Sequence, residues 1–257
     1  MTIVLNEHEW ARDMIYARSL GKKPFETLSR VAKYYIDEGY SKKDTRQMLD
    51  SFLLQCDPTA SLPKWSNTLD YAVAKALKYN AIQVDGIYIT KLEMEKIETL
   101  DSAQIKRLAF TLLCLAKYWK VVNPNADYWV NNKDSEIMRL ANINTSIKRQ
   151  SLMYSQLNEL GFIKFSKKID NTNVKVCFIE ADEVAVVVTD FVNLGYQYMM
   201  ATGSNEYFKC QNCGIVVKKN SASDGAEVKR GRPQKYCNDC AVEVSMRKRV
   251  NSIMRCH

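Results

Sequence analysis

Cys210-Gln-Asn-Cys213-Gly214 and, across a spacer of 23 residues, Cys237-Asn-Asp-Cys240 decide how the end of this chain folds. A C-x-x-C pair lets two thiolates reach one ion from a single tight turn, and two such pairs complete a tetrahedral four-cysteine site of the kind Zn²⁺ occupies. Gly214 stands where the first turn needs a positive φ. The competing readings of the four thiols are redox chemistry and disulfide pairing. The spacing favours a structural metal site with Cys210, Cys213, Cys237 and Cys240 as ligands.

Working outward, Tyr207-Phe208 before the first pair and Ile215-Val-Val217 after it suit the hairpin of a zinc ribbon. Lys209 and Lys235 flank the ligands and are expected to lower the thiol pKa values. After Cys240, residues 241–254 read as a helix with an apolar stripe of Val242, Met246, Val250 and Ile253. Arg247 and Lys248 fall off that stripe, as phosphate-facing candidates. Within the spacer, Lys229-Arg-Gly-Arg-Pro233 resembles the core of an AT-hook, which implies that Arg230 and Arg232 lie in a narrow minor groove.

Charge is distributed unevenly. Residues 205–257 carry 11 Lys/Arg against 5 Asp/Glu, whereas residues 1–204 are nearly balanced, within a chain of net charge +8. A basic segment this concentrated favours a polyanion, most simply nucleic acid. Met1 to Trp10 includes Glu7 and Glu9 and no long apolar core, so no secretory leader is expected. The longest apolar run, near Leu112, is too short for a membrane span. Cys56, Cys114 and Cys177 lie in apolar surroundings and read as small buried hydrophobes of a reducing cytoplasm.

The central region has its own grammar. Asp101 or Ser102 starts a helix with Ile105, Leu108, Leu112, Ala116 and Trp119 on one wide apolar face, and Asn123-Pro124 breaks it. A short helix over 135–141, a turn, a longer helix from Ser146 to Leu160 and a terminating Gly161 follow. Residues 162–165 and 174–179 then read as two strands. This order of helix, short helix, long helix and hairpin resembles the winged helix-turn-helix family. The resemblance implies that the start of the long helix enters a DNA major groove while the hairpin touches backbone. It points to Ser146, Lys148, Arg149, Gln150 and Tyr154 on the helix, and to Lys167 and Lys168 on the wing.

The first 85 residues carry helical stripes at Leu28, Val31, Ala32 and Tyr35, at Met48, Leu49, Phe52 and Leu53, and at Leu69, Ala72, Val73 and Ala76. Ser41-Lys-Lys-Asp44 is a start signal resembling a capping box, and Gly39 a stop signal. The segment resembles the small helical domain found C-terminal to some plasmid and phage primases. Residues 181–205 read as a connector containing a β-branched run, 184–188, suited to a buried strand, and a hinge at Gly203-Ser-Asn205.

Arg107-Leu-Ala-Phe-Thr-Leu-Leu-Cys-Leu-Ala-Lys-Tyr118, Asn144-Thr-Ser-Ile-Lys-Arg-Gln-Ser-Leu152 and Gly231-Arg-Pro-Gln-Lys-Tyr-Cys237 are similar to segments of uncharacterised bacteriophage and prophage proteins of low-GC Gram-positive bacteria. The resemblance implies action in the cytoplasm of a bacterial host. Two histidines leave almost no material for His-based acid–base chemistry, and the glycines form no phosphate-binding loop. No catalytic residues are expected.

The expected fold is mainly α with small β elements: a helical bundle (1–85), a winged-helix domain (86–180), a connector (181–205) and a four-cysteine zinc ribbon with a basic helix (206–257). The expected function is binding of double-stranded DNA in transcription control or replication, with Zn²⁺ as structural cofactor and no membrane partner. The alternatives are a protein-binding adaptor or inhibitor of a host enzyme or defence factor, and a single-strand-binding replication accessory.

Overall fold

The computed structural model describes residues 3–167, 173–219 and 234–255, with side chains described as far as Arg247. The described residues form ten α-helices and three small antiparallel sheets, and the chain divides into two compact units, residues 1–86 and 87–257.

In the first unit, α1 (Glu7–Tyr16), α2 (Pro24–Asp37), α3 (Lys42–Cys56) and α4 (Leu62–Ala76) pack around Leu28, Val31, Leu49, Phe52, Leu53, Leu69 and Val73. Ser41 caps α3 by accepting from the Asp44 N–H at 3.2 Å, and Gly39, at φ +90°, ends the segment after α2. Helix α4 begins earlier than its apolar stripe does, because Pro63 suits a first helical turn. Helix α1 carries a short apolar stripe, Trp10, Ala11, Met14 and Ile15, of which Ala11 is buried and Ile15 packs against the core. The helix is also held by the buried Glu7 carboxylate, which accepts from Arg30 Nε at 3.1 Å, Lys33 Nζ at 2.7 Å and the Ile82 N–H at 3.0 Å. Arg30 also lies 5.0 Å over the Trp10 ring.

The second unit is built around one helix. The chain enters through β1 (Ile87–Thr90) and α5 (Lys91–Glu98) and continues into α6 (Ala103–Val122), capped by Ser102. Residues 108–116 of α6 are buried on every side, more than the single face expected, because neighbours surround the helix. After α6 come a single 3-10 turn, β2 (Trp129–Val130), α7 (Asp134–Leu140), α8 (Ile147–Glu159), β3 (Ile163–Phe165) and β4 (Val174–Val176). The sheet order is β2-β4-β3, with Trp129 opposite Lys175 and Ile163 opposite Val176. Strand β2 is two residues long and carries no sequence signal of its own.

Residues 181–205 are no free connector. Strand β5 (Val184–Val188) pairs antiparallel with β1, Ile87 opposite Val188, and α9 (Leu194–Ala201) packs against α6. The strand expected to be buried is covered on one side only: Val188 is buried while Val184 and Val187 are exposed. The fully buried Glu93 ties these pieces together. It accepts from the N–H groups of Thr90 and Glu180 and pairs with Lys117 of α6, which also donates to the Tyr88 carbonyl.

Helix α9 approaches the α7–α8 turn so closely that a Cβ on Gly195 would lie 2.0 Å from the Ala141 carbonyl oxygen. Strands β6 (Tyr207–Lys209) and β7 (Val216–Lys218) form the last hairpin, and α10 (Asn238–Arg255) closes the described chain. Of the expected α10 stripe, Val242 and Met246 are exposed instead of covered, and the side chains of Val250 and Ile253 lie outside the described ones. Among the three cysteines expected inside, Cys114 is buried, Cys56 half-buried and Cys177 exposed. No described helix is long and apolar enough to cross a membrane.

Two substitutions test this packing by urea denaturation. Gly195→Ala drives a methyl into a backbone carbonyl and is expected to cost about 3 kcal/mol. Glu93→Ala strands the Lys117 ammonium and two N–H groups, at a cost of about 3–5 kcal/mol. A loss below about 1 kcal/mol in either, on the order of a surface change, would contradict the packing described.

Candidate metal centre and basic helix

The Cys210-x-x-Cys213 turn follows β6, and its chain direction is set by backbone bonds from Cys210 N–H to the Ile215 carbonyl and from Gly214 N–H to the Cys210 carbonyl, each 2.9 Å. Gly214 adopts φ +74°, as the turn requires. The Gln211 N–H donates to the Lys235 carbonyl at 2.9 Å, which brings the second pair alongside the first. Cys240 lies in the first turn of α10, next to the N–H-rich end of that helix.

The four sulfurs lie within 4.8 Å of one another, with Cys213 and Cys237 Sγ atoms 3.8 Å apart and all four thiols free. A tetrahedron with metal–sulfur arms of ~2.3 Å has edges of ~3.8 Å, which the Cys213–Cys237 pair matches, and the remaining sulfurs lie close enough to converge on one ion. The surroundings suit thiolates: the Cys237 N–H donates to Cys210 Sγ at 3.3 Å, and Asn212 Nδ2 donates to Cys240 Sγ at 3.4 Å. Burial pushes the Cys210 thiol up, yet the N–H groups of Cys213, Cys237 and Asn212 outweigh it and bring its pKa down to about 6. Loss of water pushes Cys213 up to about 12, with the neighbouring thiols adding to the rise. Backbone N–H groups, and not the flanking Lys209 and Lys235, therefore set the first thiolate. The Cys213 and Cys240 thiols resist ionisation beside it until a cation shares their charge.

The ribbon hangs on α9. Asn193 Nδ2 donates to the Val216 carbonyl of β7 at 3.0 Å, and Asn193 Oδ1 accepts from Asn142 Nδ2 at 2.9 Å. Asn142, at φ +55°, forms the turn between α7 and α8, and its carbonyl accepts from Arg107 of α6 at 3.1 Å. One short path thus joins the turn before α8 to the hairpin that carries the thiols.

The structure separates the expected nucleic-acid contacts. Lys148 and Arg149 are exposed on the first turn of α8, and Lys167 is exposed beyond β3. Ser146 caps α8 by accepting from the Arg149 N–H, so its hydroxyl is engaged with the helix. Gln150 is half-buried and donates to the Thr145 carbonyl at 3.0 Å. Tyr154 is only 7% exposed: it belongs to the inward stripe with Met153 and Leu157, and its hydroxyl lies beside Asp134, so it offers no ring to a groove. Arg247 is exposed and pairs with Glu243 one turn away. Lys168, Arg230 and Arg232 lie outside the described residues, as does the side chain of Lys248.

Sequence reading missed two residues of this face. Ile147 is 81% exposed and Leu152 61%, beside Lys148, Arg149 and Ser151. The signal was present: both fall off the periodic stripe that buries Met153, Tyr154 and Leu157. No known protein family, curated protein or solved structure matches this chain.

Elemental analysis of the purified protein should find one metal ion per chain. Cys210→Ser and Cys240→Ser should each lose it, whereas Cys177→Ser, outside the cluster, should retain it. Full metal content in the first two variants would exclude the quartet as the site.

Proposed function

We propose that this chain is a zinc protein that binds duplex DNA through the α6–β4 segment of its second unit, acts in transcription control or replication, and catalyses nothing. The order α6, β2, α7, α8, β3, β4 with sheet order β2-β4-β3 supports a winged-helix reading, in which α8 enters the major groove and the β3–β4 hairpin lies on the backbone. Four convergent thiolates with no carboxylate or imidazole favour zinc over harder ions, and a closed set of four leaves no open position for hydrolysis. Its role is to hold the ribbon. The similarity of the quoted segments to bacteriophage proteins adds a phage setting and a bacterial host cytoplasm to the reading.

One observation carries it. The first turns of α1, α2, α3, α5 and α7 contain acidic residues, which the helix dipole favours; those of α4, α6 and α9 contain none, but the first turn of α8 is the one that sets two cations, Lys148 and Arg149, with no acid beside them. Cations at that end cost about 0.3–1 kcal/mol of dipole energy, a cost that a phosphate-rich partner offsets. Ile147 and Leu152 beside them suit apolar contact with thymine methyls.

The same two apolar side chains favour a second reading, a protein partner held by α8, since exposed aliphatics flanked by cations also form the centre of many interfaces. The readings part in the test. On the first, affinity for mixed-sequence duplex falls steeply with salt. Lys148→Ala and Arg149→Ala should each weaken it about tenfold or more and reduce the salt slope by about 1 if they meet phosphate. Ile147→Ser and Leu152→Ser should change sequence preference more than the slope. Undetectable duplex binding at low salt, together with a host protein retained through nuclease treatment and lost in Leu152→Ser, would replace the first reading by the second.

A further inference from the structure

The first unit contains a cavity of about 380 Å³ walled by tyrosines: Tyr16 from the end of α1, Tyr34 and Tyr35 from α2, and Tyr40 after the Gly39 turn, with Arg12 and Glu38 at its edges. Such a volume lies at the lower end of the ~300–1,000 Å³ typical of ligand sites. Its wall is built by a local device. Gly39, at φ +90°, reverses the chain, the Tyr40 N–H donates to the Tyr35 carbonyl at 3.0 Å, and the Tyr40 ring meets that of Tyr35 edge-on at 5.8 Å. Tyr34 lies 5.6 Å from Tyr35 on the other side. Tyr16 stands apart, 92% exposed, a large ring that contributes little to the core.

The charged groups decide what fits. Glu38 is half-exposed, with one carboxylate oxygen 3.9 Å from His8 Nε2. Arg12 makes no ion pair among the described residues. A simple ammonium would suit the rings and Glu38 but meet repulsion from Arg12. A neutral apolar ligand would leave both charges unused. A nucleotide uses every group: its base against the tyrosine faces, its edge N–H donors on Glu38, and its phosphate on Arg12.

A second groove, of about 700 Å³, lies between α3 and α4 and is lined by Lys42, Lys43, Arg46 and Gln47 on one side and by Asp70, Val73 and Ala74 on the other. Arg46 is neutralised by Asp50 and Asp70, whereas Lys42 and Lys43 make no ion pair among the described residues. Met48, the next residue after Gln47, lines the tyrosine cavity, so one helix separates aromatic wall from basic groove. A stacking pocket beside a basic track is the arrangement that holds an unpaired strand. A base within a duplex is stacked and paired on all sides and cannot enter a cavity of this kind.

We propose that the tyrosine cavity of the first unit binds one unstacked base of a single-stranded nucleic acid, with guanine preferred, and that Lys42 and Lys43 carry the neighbouring phosphates. Guanine is preferred because its adjacent N1–H and N2–H donors match the two oxygens of a carboxylate, whereas adenine and cytosine offer one amino group and thymine a single ring N–H. The site uses no residue of the second unit and stands or falls apart from duplex binding.

The test is made on the full-length, metal-loaded protein with labelled single strands of about ten nucleotides, all thymine or with one central guanine. The guanine strand should bind about tenfold tighter. Tyr16→Ala and Tyr40→Ala should each weaken it about tenfold, since base–aromatic stacking contributes on that scale. Both side chains are exposed, so unchanged thermal midpoints are expected. Glu38→Gln should remove the guanine preference while retaining most thymine-strand affinity, and duplex affinity should be unchanged in all three. Equal single-strand affinity in the wild type and both tyrosine variants would overturn the proposal. So would a trimethyl-lysine peptide that binds the wild type and loses affinity in Tyr40→Ala where the strands do not, which would make the cavity a cation cage.

Discussion

The Ala141 carbonyl lies where a side chain on residue 195 would begin, and the second unit depends on that bare contact. Without a Cβ, α9 settles onto the α7–α8 turn, where Asn142 accepts from the Tyr196 N–H and joins its side-chain amide to Asn193. Asn142 and Asn193 both adopt positive φ, a conformation asparagine tolerates better than most residues. Their amides then reach two elements each. The start of α8 and the ribbon hairpin are thereby joined through two side chains and a glycine, to which the Tyr196 ring of α9 against Tyr207 of β6 adds an aromatic contact at 5.0 Å.

Around that point the unit is conventionally stabilised. Helix α6 is buried along its middle, and every sheet and helix near it covers part of its circumference. The buried charge among the described residues of this unit is Glu93, whose carboxylate serves Thr90, Glu180 and Lys117 at once. A buried carboxylate is tolerable only when such partners replace water. Glu7 plays the same part in the first unit, with Arg30, Lys33 and the Ile82 N–H. In each unit a single buried carboxylate thus joins segments that lie far apart in the chain.

On the proposed reading, this construction sets the exposed cations of α8 beside the metal-held ribbon. The thiol quartet, once it shares its charge with a metal, stiffens a hairpin too small to have a core of its own. The path through Asn193 joins that hairpin to the turn that aims α8. Lys148 and Arg149 remain in water at the helix start, where they weaken the helix slightly and are free to meet a polyanion.

Local pattern was enough to locate α2, α3, α6, α8 and α10, the glycine stops at Gly39 and Gly161, the β3–β4 pairing partners and the four thiols that meet. These depend on periodicity, caps and spacing, which operate within a few turns of chain. The strand at 184–188 was legible too, but long-range contacts were needed to seat it beside β1, to make residues 194–201 a clamping helix, to create β2, and to bury the Glu7 carboxylate of α1. They also turn Tyr154 inward while Ile147 and Leu152 face out. Several of these outcomes hang on one partner far along the chain, such as Ile87 for β5, Lys175 for β2 or Arg30 for Glu7. A local pattern cannot encode which distant group will be adjacent, because burial and pairing belong to the assembled chain and not to the segment.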